Sequence, residues 1–297
     1  MRARRALRVR CPAKINLGLW ILGRRPDGYH EIDTILQCVA LEDELVLEAR
    51  PPGFSLETRG IPIPGPGPNL IERAWSLIRE RAGPNAPGIH VRLTKRIPVG
   101  GGLGGGSSDA AGLLAGVDRL FDLGLSEEDL GNLAVRIGAD VRFFLRGGTA
   151  RGTGRGDQVR HLCPAPTAWV VLATPPIAVS TTWAYGRVRI SLTPPGRGGT
   201  ILTAALERGN WDVIAPLLHN DFEDVVLPEV PIVADLKRAF DQSGALRSLL
   251  SGSGSTIFGI ASTLEQAQRA AAVVGRCGAQ VRVVRTNERG VTVAGLL

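Results

Sequence analysis

The stretch from Pro98 to Ser108 points most directly to chemistry, because glycine fills six of the seven positions 100–106. Glycine accepts backbone conformations with positive φ, which allows successive backbone N–H groups to converge on one anion. A strand-like alternation precedes the stretch and an amphipathic helix pattern follows it, and the start of a helix also favours phosphate. These features predict a phosphate-binding loop rather than a flexible linker or a tight turn. The hydroxyls of Ser107 and Ser108 could add donors or reach a phosphate-bound Mg²⁺.

Two common phosphate loops fit this stretch less well. A Walker A loop would place a lysine directly after the glycines, and the sequence has none there. A dinucleotide-binding fingerprint, G-x-G-x-x-G, is formally present at Gly100, Gly102 and Gly105. The strand before such a fingerprint is a buried apolar run, whereas the residues before this loop include His90, Arg92, Lys95 and Arg96. The sequence therefore favours a phosphate loop of another class.

Lysine is rare in this chain, where it occurs only as Lys14, Lys95 and Lys237. In so arginine-rich a chain, a retained lysine indicates a place that needs a compact ammonium group. Lys237 is interpreted as a surface residue of an amphipathic helix. Lys14 and Asn16 lie two residues apart on a strand-like segment, so both project to one face. Asp140 follows a helix pattern, and a carboxylate there can accept the proton of an attacking hydroxyl or cap a loop.

The overall composition argues against several classes of protein. The 297 residues suffice for one large domain or two modest ones. The 4 cysteines are widely spaced, which disfavours a disulfide framework or a zinc site. No apolar run reaches the ~18–20 residues of a membrane span, and the basic start lacks a cleavage pattern, so a cytoplasmic protein is expected. The formal charge of +7 comes from scattered residues, a distribution that suits phosphate-bearing ligands better than nucleic acid.

Strand and helix patterns alternate along the chain, which predicts an α+β fold with helices layered on an antiparallel or mixed sheet. Strands are predicted at Ala6–Leu22, Thr34–Ala49, Ile89–Ile97, Trp169–Ala173, Leu246–Leu250, Thr256–Ile260, Gln280–Arg285 and Val291–Ala294. Helices are predicted at Asn69–Arg81 (after a loop at Pro62–Pro68), after the glycine loop, and at Ser126–Gly138, Thr200–Arg208, Asp212–Leu218, Val230–Ser243 and Leu264–Cys277. Asn69 is the expected N-cap of the first helix and Ser107 or Ser108 that of the second. The proline-rich segment Cys163–Thr167 is the predicted boundary, which divides the chain into domains 1–163 and 164–297.

Four segments, in this order, resemble the motifs of the GHMP kinase superfamily, which includes galactokinase, homoserine kinase and mevalonate kinase. Pro12–Leu19 (PAKINLGL), followed by Asp27–His30 (DGYH), resembles the first motif of one branch, the kinases of 4-diphosphocytidyl-2-C-methyl-D-erythritol. The glycine loop is similar to the second motif, Ile137–Val141 to the catalytic-aspartate segment, and Leu250–Ser255 to the third motif. The resemblance covers nearly the whole chain. It implies an N-terminal ribosomal-S5-domain-2-like domain, a C-terminal ferredoxin-like α+β domain, and an active site in the cleft between them.

The same resemblance implies roles for particular residues. It implies ATP-dependent phosphorylation of the 2-hydroxyl of the cytidylyl substrate, in isoprenoid precursor synthesis, with Asp140 as catalytic base and Lys14 as its electrostatic partner. ATP would be bound by Asn69, Lys95, Pro98, Val99, Gly100, Gly101, Gly102, Leu103, Gly104, Gly105, Gly106, Ser107, Ser108 and Asp109. The substrate would be bound by Asn16, Tyr29, His30, Thr181 and Tyr185, with the tyrosines stacked on cytosine and His30 at its edge. The third-motif loop would consist of Ser251, Gly252, Ser253 and Gly254.

The expected partners are ATP and a small-molecule substrate, without nucleic acid or membrane, in a monomer or weak homodimer. Mg²⁺ is expected to arrive with ATP, because no carboxylate motif for a resident metal is visible. Two alternatives stay open: another superfamily kinase acting on homoserine, mevalonate or a sugar, or a non-catalytic nucleotide- or nucleic-acid-binding protein. Arg142 stands where many relatives carry proline, which leaves the geometry beside Asp140 open. No function is predicted for Met1–Ala6 or for the glycine–arginine hairpin Arg151–Arg155.

Overall fold

The computed structural model describes residues 6–63, 69–83, 88–188 and 197–296. The strands in this part of the chain are β1 (Ala6–Arg24), β2 (His30–Arg50), β3 (Phe54–Gly60), β4 (Gly88–Lys95), β5 (Thr149–Thr153), β6 (Gln158–His161), β7 (Trp169–Thr174), β8 (His219–Asn220), β9 (Arg247–Leu250), β10 (Ile257–Ala261), β11 (Gln280–Arg285) and β12 (Thr292–Leu296). The helices are α1 (Leu70–Ala82), α2 (Gly105–Phe121), α3 (Glu127–Ile137), α4 (Val141–Arg146), α5 (Thr181–Tyr185), α6 (Arg197–Glu207), α7 (Trp211–Ile214), α8 (Glu223–Glu229), α9 (Pro231–Asp241) and α10 (Leu264–Val274). Residues 1–5 and 64–68, which carry most of the segments Met1–Ala6 and Pro62–Pro68, lie outside the described residues.

The first sheet is built on the long antiparallel pair β1 and β2. Its main order is β12-β1-β2-β4-β3, with β5 and β6 continuing from β2 and with β8 parallel to β1. Helices α1 to α4 cover one face of this sheet around an apolar core. Helix α2 lies very close to the sheet at Gly112 and Gly116, which have no side chains. An added side-chain carbon would come within 2.4 Å of Cys11 at the first position and within 2.3 Å of Leu47 at the second. The fold is therefore α+β on a mixed sheet, as predicted.

The second sheet has the order β11-β7-β10-β9, and all of its pairings are antiparallel. With α9 after β7 and α10 after β10, the chain follows the β-α-β-β-α-β path of a ferredoxin-like unit, as predicted. One face of this sheet packs on β1 through a shared core that includes Ile15, Leu17, Val170 and Phe258. The other face is covered by α9 and α10.

Several local predictions are confirmed and others are wrong. Asn69 caps α1 by accepting from Ile71 N–H, and Ser126 forms a capping box with Asp129. The N-cap predicted at Ser107 or Ser108 is wrong: the N-cap of α2 is Gly104, three or four residues earlier, which has a φ of +70° and provides no side-chain cap. Glycine adopts this left-handed conformation without a steric penalty, which permits the earlier start.

Other elements were not anticipated by the sequence patterns. The apolar run after Asp140 is the short helix α4, and β8, α5 and α8 are too short or too irregular to give a periodic signal. Strand β3 was missed although Phe54, Leu56 and Thr58 alternate with polar residues. The segment Cys163–Thr167 lies between β6 and β7, and the chain later returns to the first sheet through β8 and β12. The domain boundary at residue 163 stays a prediction. None of the helices in the described part of the chain combines the length and apolar character that crossing a membrane requires.

Candidate active site

The glycine loop packs directly on the third-motif loop, Ser251–Gly254. Gly102 has a φ of +77°, and a side-chain carbon there would lie 1.9 Å from the Ser251 carbonyl oxygen. Glycine is therefore required at this position by both the backbone conformation and the contact. The Ser251 hydroxyl donates to the Gly102 carbonyl oxygen at 3.0 Å, and the Thr256 N–H donates to the Gly101 carbonyl oxygen at 3.2 Å. The two loops are far apart in sequence but form one structural unit.

The start of α2 presents polar groups that the described residues do not satisfy. Ser108 is 0% exposed, and its hydroxyl has no hydrogen-bond partner among the described residues. The first backbone N–H groups of a helix also lack intrahelical acceptors. A buried unpaired hydroxyl beside free N–H groups suits the oxygen of an anion, or a cation bound to that anion.

Below the glycine loop, Lys95 lies in a buried cluster with two carboxylates. Its ammonium donates to Asp109 at 2.8 Å and to Asp43, and both carboxylate groups are buried. Asp43 also accepts from the N–H groups of Arg96 and Ile97, which directly precede the glycine loop. Burial lowers the pKa of Lys95, but the two carboxylates outweigh it and hold the pKa above its ordinary value. The Lys95 side chain is thus engaged inside the protein, and its place in an adenosine pocket stays a prediction.

Sequence reasoning missed Asp43, although a signal was present. On β2 the residues Leu41, Asp43, Leu45 and Leu47 share one phase of the strand alternation, and all of them are buried. A carboxylate in the inward phase of a strand must have a buried partner, because an isolated buried charge is very costly. The inward position of Asp43 therefore indicated a cationic partner, but not which one.

Lys14 is the second buried lysine of the site, and it faces Asp140. The distance between Lys14 Nζ and Asp140 Oδ2 is 3.7 Å, and the ammonium donates to Asn16 Oδ1 at 2.7 Å. Asn16 in turn donates to Thr34, whose hydroxyl donates to the Gly18 carbonyl oxygen. Burial lowers the pKa of Lys14, and the Asp140 carboxylate acts in the opposite direction. The predicted pair is therefore assembled, with Asn16 holding the ammonium.

A bulge in β1 sets the direction of Lys14. The pairing with β2 shifts between Pro12 and Ala13, and such an irregularity can change the side of the sheet to which a strand's residues point. Before the shift, Val9 and Cys11 pack in the core under the helices. After the shift, residues of the same parity belong to the core between the two sheets. Lys14 has an even number and therefore points to the other side of the strand, beside the glycine loop. Its closeness to that loop is shown by Gly104, where an added side-chain carbon would lie 3.0 Å from Lys14 Cγ.

Asp140 stands at the N-terminal end of α4, but its carboxylate makes no capping hydrogen bond there. Its side chain is 33% exposed, so it is open to a ligand as well as to Lys14. Arg142, which stands where many relatives carry proline, lies on α4 with its guanidinium directed to α3. A side-chain carbon added at Gly131 of α3 would lie 3.2 Å from Arg142 Nε. The geometry that the sequence left open is thus one in which Arg142 packs against α3.

The residues predicted to hold a nucleobase form two groups. Tyr185 stacks on His30 with ring centroids 4.7 Å apart, and it packs against the Phe222 ring in a T-shaped arrangement with centroids 4.8 Å apart. Burial and the nearby Asp140 carboxylate raise the pKa of Tyr185 to about 12. Tyr29 is 57% exposed and lies under the guanidinium of Arg155 at 4.9 Å. The described contacts therefore pair Tyr185 with His30 and leave Tyr29 separately placed on an open rim.

The remaining predicted residues lie around these groups. Thr181 starts α5 and shares a 3.0 Å hydrogen bond with Ser253 of the third-motif loop. The Arg151–Arg155 hairpin lies next to these groups, because Arg155 covers the Tyr29 ring. The hairpin is anchored at its other end, where Arg151 donates two 2.7 Å hydrogen bonds to the buried Asp33 carboxylate. Phe222 and Arg155 are the residues here that sequence reasoning missed, and neither has a local signal, since each acts through a partner distant in sequence.

Comparison with known proteins gives consistent results along the chain. The family model for the GHMP kinases N terminal domain matches residues 69–148, and that for the GHMP kinases C terminal matches residues 202–280. A 4-diphosphocytidyl-2-C-methyl-D-erythritol kinase of Pelotomaculum thermopropionicum is 41% identical over 277 residues, which cover 92% of this chain and 96% of the relative. A crystal structure of a 4-(cytidine 5'-diphospho)-2C-methyl-D-erythritol kinase superposes with a TM-score of 0.79 at 34% identity, over 94% of this chain and 99% of that one. A homoserine kinase from Cytophaga hutchinsonii superposes with a TM-score of 0.77 over 97% of both chains, but its 21% identity indicates the fold alone.

Proposed function

The chain belongs to the 4-diphosphocytidyl-2-C-methyl-D-erythritol kinases of the GHMP kinase family, and from this we propose that it transfers the γ-phosphoryl group of ATP to the 2-hydroxyl of that substrate. The single observation that carries the proposal is the match, at 41% identity, to a kinase of this name over 92% of the chain. The products are ADP and the 2-phosphate of the substrate. The reaction lies in the methylerythritol phosphate route to isoprenoid precursors.

Asp140 acts as the catalytic base in this proposal. Its carboxylate accepts the proton of the 2-hydroxyl as that oxygen attacks the γ-phosphorus. Two features support the role: the carboxylate makes no capping bond on α4, and a third of the side chain is exposed. Lys14, 3.7 Å away, offsets the negative charge that develops on the transferred group, and its ammonium is oriented by Asn16.

ATP is bound by the glycine loop and the start of α2. Backbone N–H groups of the loop and of the first helical turn donate to the phosphates. The buried Ser108 hydroxyl, which has no partner among the described residues, would contact a Mg²⁺ ion that arrives with ATP, and such an ion would supply positive charge at the phosphates. The described residues contain no group of three or more His, Cys, Asp and Glu side chains that could hold a resident metal ion.

The cytidylyl end of the substrate lies against His30, Tyr29 and Tyr185. His30 hydrogen-bonds the edge of the cytosine ring, and the tyrosines provide aromatic faces. Support comes from the stacked His30–Tyr185 pair and from the exposed ring of Tyr29. These three residues form the proposed nucleobase wall. Asn16 contacts Lys14, and Thr181 begins the helix that carries Tyr185, so both are assigned to the binding of the sugar alcohol. Because both substrates are small water-soluble molecules, we also propose that the enzyme is cytoplasmic. Its proposed state of association is a monomer or weak homodimer.

The proposal is tested by measuring ADP formation with four acceptors: the cytidylyl substrate, homoserine, mevalonate and galactose. We expect turnover with the cytidylyl substrate and rates at least a hundredfold lower with the other three, because these lack the nucleobase. Phosphorus NMR of the product should place the new phosphate on the 2-hydroxyl. Faster turnover with one of the other acceptors would assign the chain to a different branch of the superfamily.

A further inference from the structure

The segment His219–Glu223, for which the sequence suggested no role, connects several parts of the active site. Its first two residues form β8, which runs parallel to β1 at Gly18 and Leu19. The Asp221 carboxylate accepts from the Ile21 N–H at 2.6 Å, and the Phe222 ring meets Tyr185. The segment thus touches both the strand that carries Lys14 and the proposed nucleobase wall.

Within this segment, Asn220 makes the most complete set of contacts. It is 3% exposed, and its Nδ2 donates to the carbonyl oxygens of Leu250 and Gly252, both at 2.8 Å. Its Oδ1 accepts from the Phe222 N–H at 3.0 Å. Both amide protons and the amide oxygen are therefore used, and two of the three bonds clamp the start of the third-motif loop.

Glu223 also binds the backbone at the start of this loop. Its Oε1 accepts from the Leu250 N–H at 2.8 Å, while Lys237 Nζ lies 3.4 Å from that oxygen. Lys237 also donates to the Ser248 carbonyl oxygen at 2.6 Å. Both backbone polar groups of Leu250 are thus bonded by side chains of one short segment, and Lys237, interpreted from sequence as a surface lysine, has a half-buried structural role.

The clamped loop in turn positions both halves of the catalytic centre. Ser251 donates to the Gly102 carbonyl oxygen, which links the clamp to the phosphate-binding loop. A side-chain carbon at Gly252 would lie 3.4 Å from Lys14 Nζ and 3.6 Å from Asn16 Oδ1. A small displacement of Gly252 therefore changes the space around the Lys14 ammonium and the support of Gly102 together.

We propose that Asn220 is a positioning residue for phosphoryl transfer: its two amide donors fix the third-motif loop, and through that loop they hold the phosphate-binding loop in register with Lys14. Asn220 acts through Gly252 and Ser251 and has no contact with substrate in this role. The inference rests on the proposed function in one respect: the kcat measurement uses the proposed reaction. Loss of the two donors would leave buried carbonyl oxygens unpaired and allow the loop to move, and displacements of about 1 Å near reacting groups can cost on the order of 10²-fold in rate.

The test compares Asn220→Ser with the matched control Asn210→Ser. Asn210 is exposed and caps α7 by accepting from the Asp212 N–H at 2.8 Å, just as Asn220 accepts from the N–H two residues ahead. Serine can keep that acceptor role at both sites. The two variants therefore differ in the loss of the donors to Leu250 and Gly252 and in the burial of the changed side chain.

For Asn220→Ser we expect kcat to fall by roughly 10- to 100-fold. The Kd for a non-hydrolysable ATP analogue should rise at least threefold, while the KM for the cytidylyl substrate stays within threefold of wild type. For Asn210→Ser all three constants should stay within twofold. A merely structural role would reduce the amount of active enzyme and leave the analogue Kd unchanged. A kcat within threefold of wild type, or an unchanged analogue Kd, would overturn the proposal.

Two further measurements keep the test decisive. If Asn220→Ser lacks a cooperative unfolding transition, Ser251→Ala replaces it, since that change cuts the next link to Gly102 and leaves Asn220 intact. The same kcat loss and weaker analogue binding are expected, and wild-type constants for Ser251→Ala would refute the route through this loop. If the wild-type enzyme does not turn over the cytidylyl substrate, the proposed function fails. The analogue Kd of Asn220→Ser against Asn210→Ser still decides the inference.

Discussion

Replacing Asp140 by asparagine tests the proposed chemistry most directly, because the change keeps the shape of the side chain and removes its charge and basicity. A positioned general base contributes on the order of 10²–10⁴-fold to a rate. This range corresponds to roughly 2.7–5.4 kcal/mol of transition-state stabilisation. The same change also removes the charge interaction with Lys14. At the observed Nζ–Oδ2 distance of 3.7 Å and an effective dielectric constant of about 20, that interaction is on the order of 4–5 kcal/mol, reduced by the partial exposure of Asp140.

For Asp140→Asn we expect turnover to slow by about 10²-fold or more, with little change in the Kd of an ATP analogue. Analogue binding should persist because the phosphate-binding loop is supported by Ser251 and Thr256 and not by Asp140. The pH profile should change as well. Burial already lowers the pKa of Lys14 and Asp140 opposes that effect, so without the carboxylate the pKa of Lys14 falls further. The alkaline limb of the residual activity should therefore move to lower pH.

A coupled ADP assay gives kcat, and titration with the analogue gives Kd. The matched control is Asp122→Asn at the far end of α2, about 25 Å from the glycine loop along a 17-residue helix. Asp122 is exposed and has a φ of +53°, a conformation that asparagine tolerates well, so the control should keep wild-type constants. Retention of the wild-type turnover rate within about tenfold in Asp140→Asn would refute the assignment of a catalytic base. An equal loss of analogue binding would indicate a structural defect instead.

Three further predictions concern the nucleobase wall, the glycine loop and the dependence of stability on pH. Tyr185→Ala should raise the KM of the cytidylyl substrate at least tenfold more than that of ATP, and equal effects on both would contradict a role in stacking. Gly102→Ala should abolish binding of the ATP analogue or prevent folding, because the new methyl group would lie 1.9 Å from a carbonyl oxygen. Gly278→Ala, at a similar φ of +74° but with open space around it, should cost only modest stability, and equal behaviour of the two variants would refute the clash argument. The hydrogen bond that His219 Nε2 donates to the Asp221 carboxylate raises the pKa of His219. The protonated imidazole therefore stabilises the fold below its unfolded pKa of about 6.5, and this stabilisation disappears as pH rises through the folded value. Thermal melts should accordingly show His219→Gln less stable than wild type at pH 5.5 and nearly equal to it at pH 8.5, and a constant difference would contradict the linkage.

The elements with a strong periodic signal were predictable because their residues interact within a few positions of one another. The helix caps at Asn69 and Ser126 use hydrogen bonds that reach only two or three residues along the chain. The common face of Lys14 and Asn16 follows from the period of a strand. The start of α2 was misplaced, because a glycine in a left-handed conformation precedes it and leaves no capping side chain to identify.

The assembly of the site depends on residues that no local pattern connects. Lys95 is enclosed by Asp43 and Asp109, which lie 52 and 14 residues away, and only the packing of β2, β4 and α2 brings them together. The pairing of His30 with Tyr185 and the clamp of Asn220 on Gly252 likewise join separate layers of the fold. Such contacts are set by sheet register and by the packing of one layer on another.

The sequence by itself indicated a phosphate-binding loop and the kinases to which this chain is related. It did so through the glycine-rich stretch, the order of the four motifs and the rare lysines, because these features consist of residue types at short spacing. The tertiary structure decided what each charged group does. It set one buried lysine toward Asp140 and the other beneath the glycine loop, and it joined Asn220 to the third-motif loop that lies beside Lys14. The physical reason is that a buried charge or amide must find its partners wherever the fold places them, and that place is fixed only when the two sheets pack together.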